Sequence, residues 1–381
     1  MITLLTAALV LLPAPPLEGA DHLDRFFSRL DQPASRVRVT HFGDSHVAAD
    51  LWTGPMRAAL QARFGDGGRG LVLAGRPWAS AWQSHLVNRS DGEWDTVGLR
   101  GGLDDGWFGA AGCAVATADP RASFTVGPLP GAAAGQALAT VDVHYLREPR
   151  GGCLEVRADG RTLGRVATRG PWVTVGFARL AVPPGTSTIS VHPIGDAPVR
   201  VLGASLEGPG GGLVYDALGL NGARATRPLR LAPATLPATL GRLQPTLVVV
   251  SYGVNELFDG DLDLGAWGAG FGALLSTLRE ASPADCLVTG PPDAARRGRP
   301  LPAFDAMVAL QRALADAHGC AFWDAREAMG GAGGVVAWRR AGLARRDGVH
   351  LTRDGYQRLA GSLVDALMAA RDERAHASGR P

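Results

Sequence analysis

The sequence predicts an α/β fold with a parallel sheet, interrupted by an inserted all-β sandwich. Near both ends of the chain, apolar strand-like runs alternate with segments of helical periodicity. Between about residues 84 and 208 the helical periodicity is absent, and short alternating runs recur between turn residues. One α/β domain that is split by a β insertion accounts for both patterns.

The first α/β segment contains one strand and one helix. Residues 37–42 (VRVTHF) predict a buried strand that ends in a glycine turn. Residues 51–64 predict a helix with Met56, Leu60 and Phe64 on one face. Ser45 lies just past the strand end and before the helix, which is the crevice where ligands of open α/β sheets bind.

The second α/β segment resumes near residue 247. The continuous apolar run at 247–251 (LVVVS) is typical of a strand inside a parallel sheet. Further strands are predicted at 286–289 and 320–323, and helices at 264–279, 303–318 and 351–371. Thr352 is a suitable N-cap for the last helix.

The inserted segment has the strand spacing of a sandwich or jelly roll. Strands are predicted at 122–126, 139–146, 153–158, 172–180, 186–192 and 199–206. We therefore assign residues 21–83 and 209–373 to the α/β domain and residues 84–208 to the insertion. The polar residues 374–381 are expected to be a disordered tail.

Charge and the N-terminal sequence bear on partners and location. The chain has 381 residues, a formal net charge of +2 and no dense Lys/Arg block, which argues against a nucleic-acid partner. The apolar run at residues 2–12 is too short to span a bilayer and lies where a signal-peptide core would lie. We expect a signal peptide at residues 1–20, a secreted or periplasmic location and no integral membrane span. An ordinary apolar N-terminal segment is the alternative.

Four cysteines, Cys113, Cys153, Cys286 and Cys320, occur outside C-x-x-C pairs, so a zinc site is not expected. In an oxidising compartment they have the option of pairing as Cys113–Cys153 and Cys286–Cys320. Four buried thiols are the alternative.

Two tetrapeptides at opposite ends of the chain supply the groups of a catalytic triad. Gly43-Asp44-Ser45-His46 follows the first strand, and Asp347-Gly348-Val349-His350 precedes the last helix. A serine is a poor nucleophile until a base takes its proton, and an imidazole is a good base when a third group fixes its tautomer. Ser45, His350 and Asp347 are candidates for these roles, although Ser45 alone is equally typical of a turn or an N-cap.

These tetrapeptides resemble sequence blocks of the SGNH (GDSL-type) hydrolases. A Gly-x-Asn block of that family matches Gly253-Val254-Asn255, and its loop glycine best matches Gly222, with Gly219 as the alternative. The resemblance implies a three-layer, flavodoxin-like α/β domain and an esterase that needs neither a metal nor an organic cofactor. It also implies that Ser45, Gly222 and Asn255 donate to the oxyanion that forms in acyl transfer.

Two residues depart from the commonest family pattern. His46 follows the serine where leucine is usual, and Glu256 follows the asparagine where aspartate is usual. The stretch GDSHVAAD at 43–50 resembles the peptidoglycan O-acetylesterase branch, as does an inserted β domain similar to a carbohydrate-binding module. His46, Gly253 and Glu256 are candidate pocket residues, and His46 is equally acceptable as a core histidine.

The function that this resemblance implies is a secreted serine esterase that removes O-acetyl groups from peptidoglycan or another polysaccharide. An O-acetyltransferase would use the same acyl-enzyme, and a non-enzymatic carbohydrate-binding wall protein on a hydrolase scaffold is the third hypothesis. The expected partner is the acetylated glycan. The sequence does not set the oligomeric state, and a monomer is favoured.

Overall fold

The computed structural model describes residues 14–79, 81–98 and 102–377. Its strands in chain order are β1 (Arg36–Gly43), β2 (Gly70–Val72), β3 (Leu86–Asp91), β4 (Asp95–Val97), β5 (Ala114–Thr117), β6 (Ser123–Pro128), β7 (Thr140–Arg147), β8 (Cys153–Ala158), β9 (Arg161–Ala167), β10 (Thr174–Ala181), β11 (Ile189–Pro193), β12 (Val199–Glu207), β13 (Gly212–Gly219), β14 (Leu247–Ser251), β15 (Asp285–Thr289), β16 (Ala295–Arg296), β17 (Arg299–Pro300) and β18 (Ala321–Trp323). Its helices are α1 (Asp24–Leu30), α2 (Ser45–Ala48), α3 (Thr53–Phe64), α4 (Thr235–Leu243), α5 (Leu264–Ala281), α6 (Phe304–Ala317), α7 (Ala325–Ala328), α8 (Gly334–Arg340) and α9 (Arg353–Ala377), with 3₁₀ turns at Ala20–Leu23, Pro228–Arg230 and Glu256–Phe258.

A parallel sheet with the order β13-β1-β14-β15-β18 forms the centre of the α/β domain. Numbered along the chain within this sheet, the strands run 2-1-3-4-5, which is the flavodoxin-like order. The strand order reverses between β1 and β14, and the carboxyl ends of these two strands precede Ser45 and Asn255. The topology therefore brings two of the sequence blocks to one crevice.

Helices cover both faces of this sheet and complete three layers. Helices α1, α3 and α9 bury Phe26, Leu60 and Leu363 in one apolar core, and helices α4 and α5 bury Leu240 and Phe271 in the other. The predicted helices and strands of this domain are present. Strands β2, β13, β16 and β17 and helices α1, α2, α4, α7 and α8 were not predicted.

Residues 86–207 form two antiparallel sheets, with the orders β10-β7-β12-β5-β4 and β3-β6-β11-β8-β9. The sheets share an apolar core to which Val143 and Val201 contribute from the first, and Phe124, Val156 and Val191 from the second. All six strands predicted here are present, and residues 102–227 contain no helix. The observed arrangement is a two-sheet sandwich.

One strand crosses the boundary that we placed at residue 84. Strand β2 belongs to the first α/β segment, yet it pairs antiparallel with Ala204–Leu206 of β12. Strand β5 pairs only with residues 199–201 of the same edge. Because β5 leaves the later backbone groups of that edge without partners, β2 completes their hydrogen bonding. The β sheet therefore begins before residue 84.

Both ends of the described chain pack on the α/β domain. Trp323 Nε1 donates to the carbonyl of Pro15 at 3.2 Å, and Glu18 forms a β-bridge with Phe322. The signal peptide predicted for residues 1–20 thus overlaps residues of the folded unit, while its apolar run at 2–12 lies outside the described residues. No helix among the described residues is both long and apolar enough to cross a membrane.

The prediction of disorder from residue 374 is wrong for residues 374–377, which continue helix α9. Arg374 Nε donates to Asp24 at 2.7 Å and Nη2 to Ser28 at 2.6 Å. The polar residues of this segment suggested a disordered tail, but Arg374 uses its side chain to hold the helix end against helix α1. Residues 378–381 lie outside the described part.

Of the two predicted disulfides, Cys286–Cys320 is present, and Cys113 and Cys153 are free. The predicted Cys113–Cys153 bond is wrong because Cys113 precedes β5 and Cys153 begins β8, in different sheets. The observed bond joins residues beside neighbouring strands β15 and β18.

This bonding pattern predicts two titratable thiols in unfolded, unreduced protein and four after reduction. Reduction, or Cys320→Ser, is expected to lower the free energy of unfolding by about 4 kcal/mol, because the bond closes a loop of some 34 residues in the unfolded chain. Thiol titration and urea denaturation measure both effects, with Cys153→Ser as the control that keeps the bond. A count of zero or four thiols before reduction would contradict the assignment.

Candidate active site

Ser45 lies in a sharp turn between β1 and α2. A Cβ atom on Gly43 would lie 2.4 Å from Val47 Cγ2 and 2.9 Å from the Ser251 carbonyl, so only glycine fits there. The Asp44 side chain accepts from the His46 N–H at 2.9 Å and caps α2. The turn leaves Ser45, the first residue of α2, partly exposed at the carboxyl edge of the sheet.

His350 is held by a second turn, which directly precedes α9. Asp347 Oδ1 accepts from the backbone N–H groups of Val349 and His350, both at 2.9 Å. Gly348 has a φ of 74°, and a Cβ there would lie 2.4 Å from the Ala295 carbonyl, so the turn requires glycine. These contacts fix the backbone on both sides of the imidazole.

The two turns meet although about 300 residues of sequence separate them. Ser45 Oγ lies 2.9 Å from His350 Nε2, and His350 Nδ1 lies 2.8 Å from Asp347 Oδ2. Burial by itself would raise the pKa of Asp347, but the hydrogen bonds from Val349 and His350 outweigh it and lower that pKa. Because the carboxylate accepts from Nδ1–H, the neutral ring presents Nε2 as an acceptor for the serine proton.

The loop that carries Gly222 lies next to the block that carries Asn255. Residues 220–223 form a turn, which is closed by the Ala223 N–H donating to the Leu220 carbonyl at 3.0 Å. Gly222 is exposed and is the third residue of this turn, where its positive φ of 71° is typical. Asn255 Nδ2 donates to the Ala223 carbonyl at 2.8 Å, and it lies 3.5 Å from Asp44 Oδ2. Asn255 thus bridges the glycine loop and the serine turn.

Comparison with known proteins gives the family. Residues 186–358 match the model of the GDSL-like lipase/acylhydrolase family. The whole fold aligns with a solved structure described as a peptidoglycan O-acetylesterase in action, with a TM-score of 0.78, 25% identity, and coverage of 93% of this chain and 99% of that chain. The chain contains a GDSL-like lipase/acylhydrolase domain of the SGNH type. It resembles the peptidoglycan O-acetylesterase branch and is a carboxylic ester hydrolase.

Two further solved esterases align weakly with the hydrolase. An acetyl xylan esterase, AlAXEase, has a TM-score of 0.31 and 18% identity over 40% of this chain and 80% of that chain. A family two carbohydrate esterase from Clostridium thermocellum, in complex with cellohexaose, has a TM-score of 0.29 and 12% identity over 67% of this chain and 94% of that chain. No curated protein sequence matches the chain.

Three residues expected in the pocket are buried in the hydrolase. His46 is 2% exposed and its Nδ1 lies 2.8 Å from the Tyr356 hydroxyl, with its ring 5.5 Å from that of His350. Gly253 is buried with a φ of 123°, and a Cβ there would meet Met307 Sδ at 2.9 Å. These two residues pack beneath the site and do not line its surface.

Glu256 is also buried, at 3% exposure, and positions the glycine loop. Its Oε1 accepts from the Ala225 N–H at 2.8 Å, three residues after Gly222. Its Oε2 has no hydrogen-bond partner among the described residues. The longer side chain in place of the usual aspartate therefore holds the glycine loop through Ala225.

The cavity next to Gly222 was not recognised from the sequence. It measures about 440 Å³, and Asp104, Arg224, Arg227 and Arg230 contribute to its lining. The sequence signal for this cavity is the arginine at every third position from residue 224 to residue 230. Asp104 belongs to the insertion, and only the fold brings it near these arginines. No cluster of three or more potential metal-ligating side chains occurs within the described ranges.

Buried titratable groups in the hydrolase predict how its stability depends on pH. Burial lowers the pKa of His41, His46 and His144 to about 3 from the ordinary 6.5. Their neutral forms stabilise the fold above pH 6.5, and this stability is lost as pH falls toward 3. Burial raises the pKa of Asp44 to about 7 from 3.8. Its protonated form therefore contributes to the free energy of unfolding below pH 3.8, and this contribution is lost as pH rises to 7.

Between pH 4 and 6 the three histidines outweigh Asp44, so these groups lower the free energy of unfolding as the pH falls. Urea denaturation at pH 5 and pH 7 measures the difference. Asp44→Asn removes the opposing group, and its loss of stability on acidification should be steeper than that of the parent. A free energy of unfolding that rises on going from pH 7 to 5 would contradict this prediction.

Proposed function

We propose that the chain is a secreted serine esterase that removes O-acetyl groups from peptidoglycan or a related cell-wall polysaccharide, with Ser45, His350 and Asp347 as its catalytic triad. The observation that carries the proposal is the continuous hydrogen-bonded series from Ser45 Oγ through His350 to Asp347. All three side chains are partly exposed at one edge of the sheet, where a polymer has access to them.

In the first step, Ser45 Oγ attacks the acetyl carbonyl carbon while His350 Nε2 accepts the hydroxyl proton. The carbonyl π electrons move to oxygen and form a tetrahedral oxyanion. When the oxyanion collapses, the ester C–O bond breaks and the imidazolium returns the proton to the departing sugar oxygen. The products are a free sugar hydroxyl and an acetyl ester on Ser45.

In the second step, water replaces the sugar. His350 takes a proton from water, and the hydroxide adds to the acetyl carbon. Collapse breaks the bond between Ser45 Oγ and the acetyl carbon, His350 returns the proton to Ser45 Oγ, and acetic acid leaves and ionises to acetate. Asp347 holds the Nδ1–H throughout and stabilises the imidazolium that forms in each half-reaction.

We assign the oxyanion to the Ser45 N–H, the Gly222 N–H and the Asn255 amide. The first N–H groups of a helix have no acceptor within that helix, which suits Ser45 at the start of α2. Asn255 Nδ2 carries two hydrogens. One fixes the amide on the Ala223 carbonyl, and we assign the other, whose contact with Asp44 Oδ2 is long at 3.5 Å, to the oxyanion. Each such donor is typically worth about 2.7–4 kcal/mol in the transition state.

The substrate class comes from the similarity to the peptidoglycan O-acetylesterase, whose fold this chain matches over nearly its whole length. The cavity beside Gly222 has room for a sugar residue of the glycan next to the acyl group. Secretion is part of the proposal. Since Pro15 and Glu18 pack on the folded domain, we place the end of the leader before residue 15.

Acetate release from O-acetylated peptidoglycan, acetylated xylan and a p-nitrophenyl ester series, measured in parallel, tests the proposal. We expect the highest kcat/KM on acetylated peptidoglycan and a preference for acetyl over long acyl chains. A long-chain preference would indicate a lipase, and transfer of acetyl to an added sugar without acetate release would indicate a transferase. Either result would overturn the proposal.

A further inference from the structure

A second cavity lies at the opposite end of the parallel sheet from Ser45. It has a volume of about 460 Å³ and is lined by Thr246 and Pro283, which come just before the amino ends of β14 and β15. Six arginines contribute to its lining, namely Arg25, Arg29, Arg36, Arg38, Arg179 and Arg242. The intervening strand β1 has eight residues, so about 26 Å of sheet separates this cavity from the triad.

Among the described residues, the arginines of this cavity outnumber the carboxylates beside them. Glu207 is its one acidic lining residue, and it already accepts from Arg36 at 2.5 Å and from Arg179 at 2.9 Å, and it also pairs with Arg38. Three further carboxylates, Asp142, Asp216 and Asp285, lie behind Arg242, Arg38 and Arg25. Counting all four, the arginines still exceed the carboxylates by two.

The arginines also retain unused donors. Arg25 donates through Nη1 to the Pro283 carbonyl at 2.8 Å, and Arg29 through Nη1 to Gln32 at 3.3 Å. Arg242 donates through Nε to Asp142 at 2.6 Å. Within the described residues, the Nη2 groups of all three make no hydrogen bond to the protein. Guanidinium groups with free N–H pairs match the oxygens of phosphate and carboxylate.

Several positive charges lie close together around Arg36. Burial lowers the pKa of Arg36, Glu207 opposes that shift, and the positive charges of Arg38 and Arg179 add to it. Three guanidinium groups gather around one carboxylate, so a further anion would lower the electrostatic cost of the arrangement.

We propose that the arginine cavity binds a multiply charged oxyanion of phosphate or carboxylate chemistry, at a site separate from the ester site. Its volume lies within the range of small-ligand sites and exceeds what one tetrahedral ion fills. The ligand is therefore a pyrophosphate-sized molecule or a charged segment of a polymer.

Calorimetric titration of the full chain with inorganic phosphate, pyrophosphate and citrate, at constant ionic strength, tests this site. We expect saturable binding that is stronger for pyrophosphate or citrate than for phosphate. The comparison of pyrophosphate with citrate shows whether the site prefers phosphate or carboxylate groups. Arg25→Gln combined with Arg29→Gln should raise the Kd at least tenfold, because both side chains have free donors and neither side chain hydrogen bonds to a carboxylate. Arg121→Gln, at an arginine whose side chain is 85% exposed, is the matched control and should leave the Kd unchanged.

Hydrolysis of p-nitrophenyl acetate by the double variant should equal that of the parent, since the cavity lies away from the triad. The Arg179→Gln variant is a second probe if the double variant does not fold, and it should also weaken binding. Absence of saturable binding in the parent would overturn the proposal. Equal weakening by Arg121→Gln would do so as well, because it would show a general charge effect.

Discussion

Replacing Ser45 by alanine is expected to abolish measurable ester hydrolysis, with kcat falling on the order of 10⁶-fold, as for removal of a triad serine in a protease. The physical reason is that alanine leaves His350 without a nucleophile to activate, although the oxyanion donors remain. The loss should appear in kcat, since the substrate still contacts the same surface. Initial rates on p-nitrophenyl acetate and on acetylated peptidoglycan measure it.

The matched control is Ser187→Ala, at an exposed serine in a loop of the β insertion. It should retain parental activity, and both variants should show the parental unfolding transition. Mass spectrometry after treatment with a phosphonyl inhibitor should place the adduct on Ser45. An adduct on another residue, or near-normal turnover by folded Ser45→Ala protein, would refute the nucleophile assignment.

Replacing His350 by alanine is expected to cost about as much as replacing Ser45, on the order of 10⁶ in kcat, because the two residues act as one unit. The 2.9 Å contact between Ser45 Oγ and His350 Nε2 is the route by which the proton leaves the serine. The double variant should therefore be little slower than either single variant. Rates of the three variants on one ester form the double-mutant cycle.

His376→Ala is the control, since His376 is exposed near the end of helix α9. His46→Gln distinguishes the rival base, because its ring lies 5.5 Å from that of His350 but is buried against Tyr356. We expect His46→Gln to retain most of the activity. If His46→Gln abolishes activity and His350→Ala does not, the base assignment is wrong, and the role of Asp347 falls with it.

The elements whose residues carry their own local signal were predictable. The run LVVVS became β14 at the same boundaries because a strand buried on both faces is mostly apolar. Its one polar residue, Ser251, hydrogen bonds with His41 and Thr289. Gly43 and Gly348 lie where a side chain would collide with neighbouring backbone. The two tetrapeptides that contain these glycines, residues 43–46 and 347–350, are the ones that the structure brings together. In the insertion, alternating patterns located six strands, while four short or exposed strands, β3, β4, β5 and β9, gave too weak a pattern.

By itself, the sequence determined the fold class, the strand–turn–helix context of Ser45 and the pairing of a distant Asp-x-x-His turn with it. Only the tertiary structure decided which groups are buried and which segments meet. His46 and Glu256 are buried, so they support the site from beneath. Strand β2 joins the inserted sheet because β5 leaves part of the edge of β12 unpaired. The arginine cavity draws residues from separate parts of the chain, so no local window contains it. The physical reason is that strand and turn preferences act between near neighbours, whereas burial, disulfide choice and electrostatic balance depend on contacts between residues that are far apart in sequence.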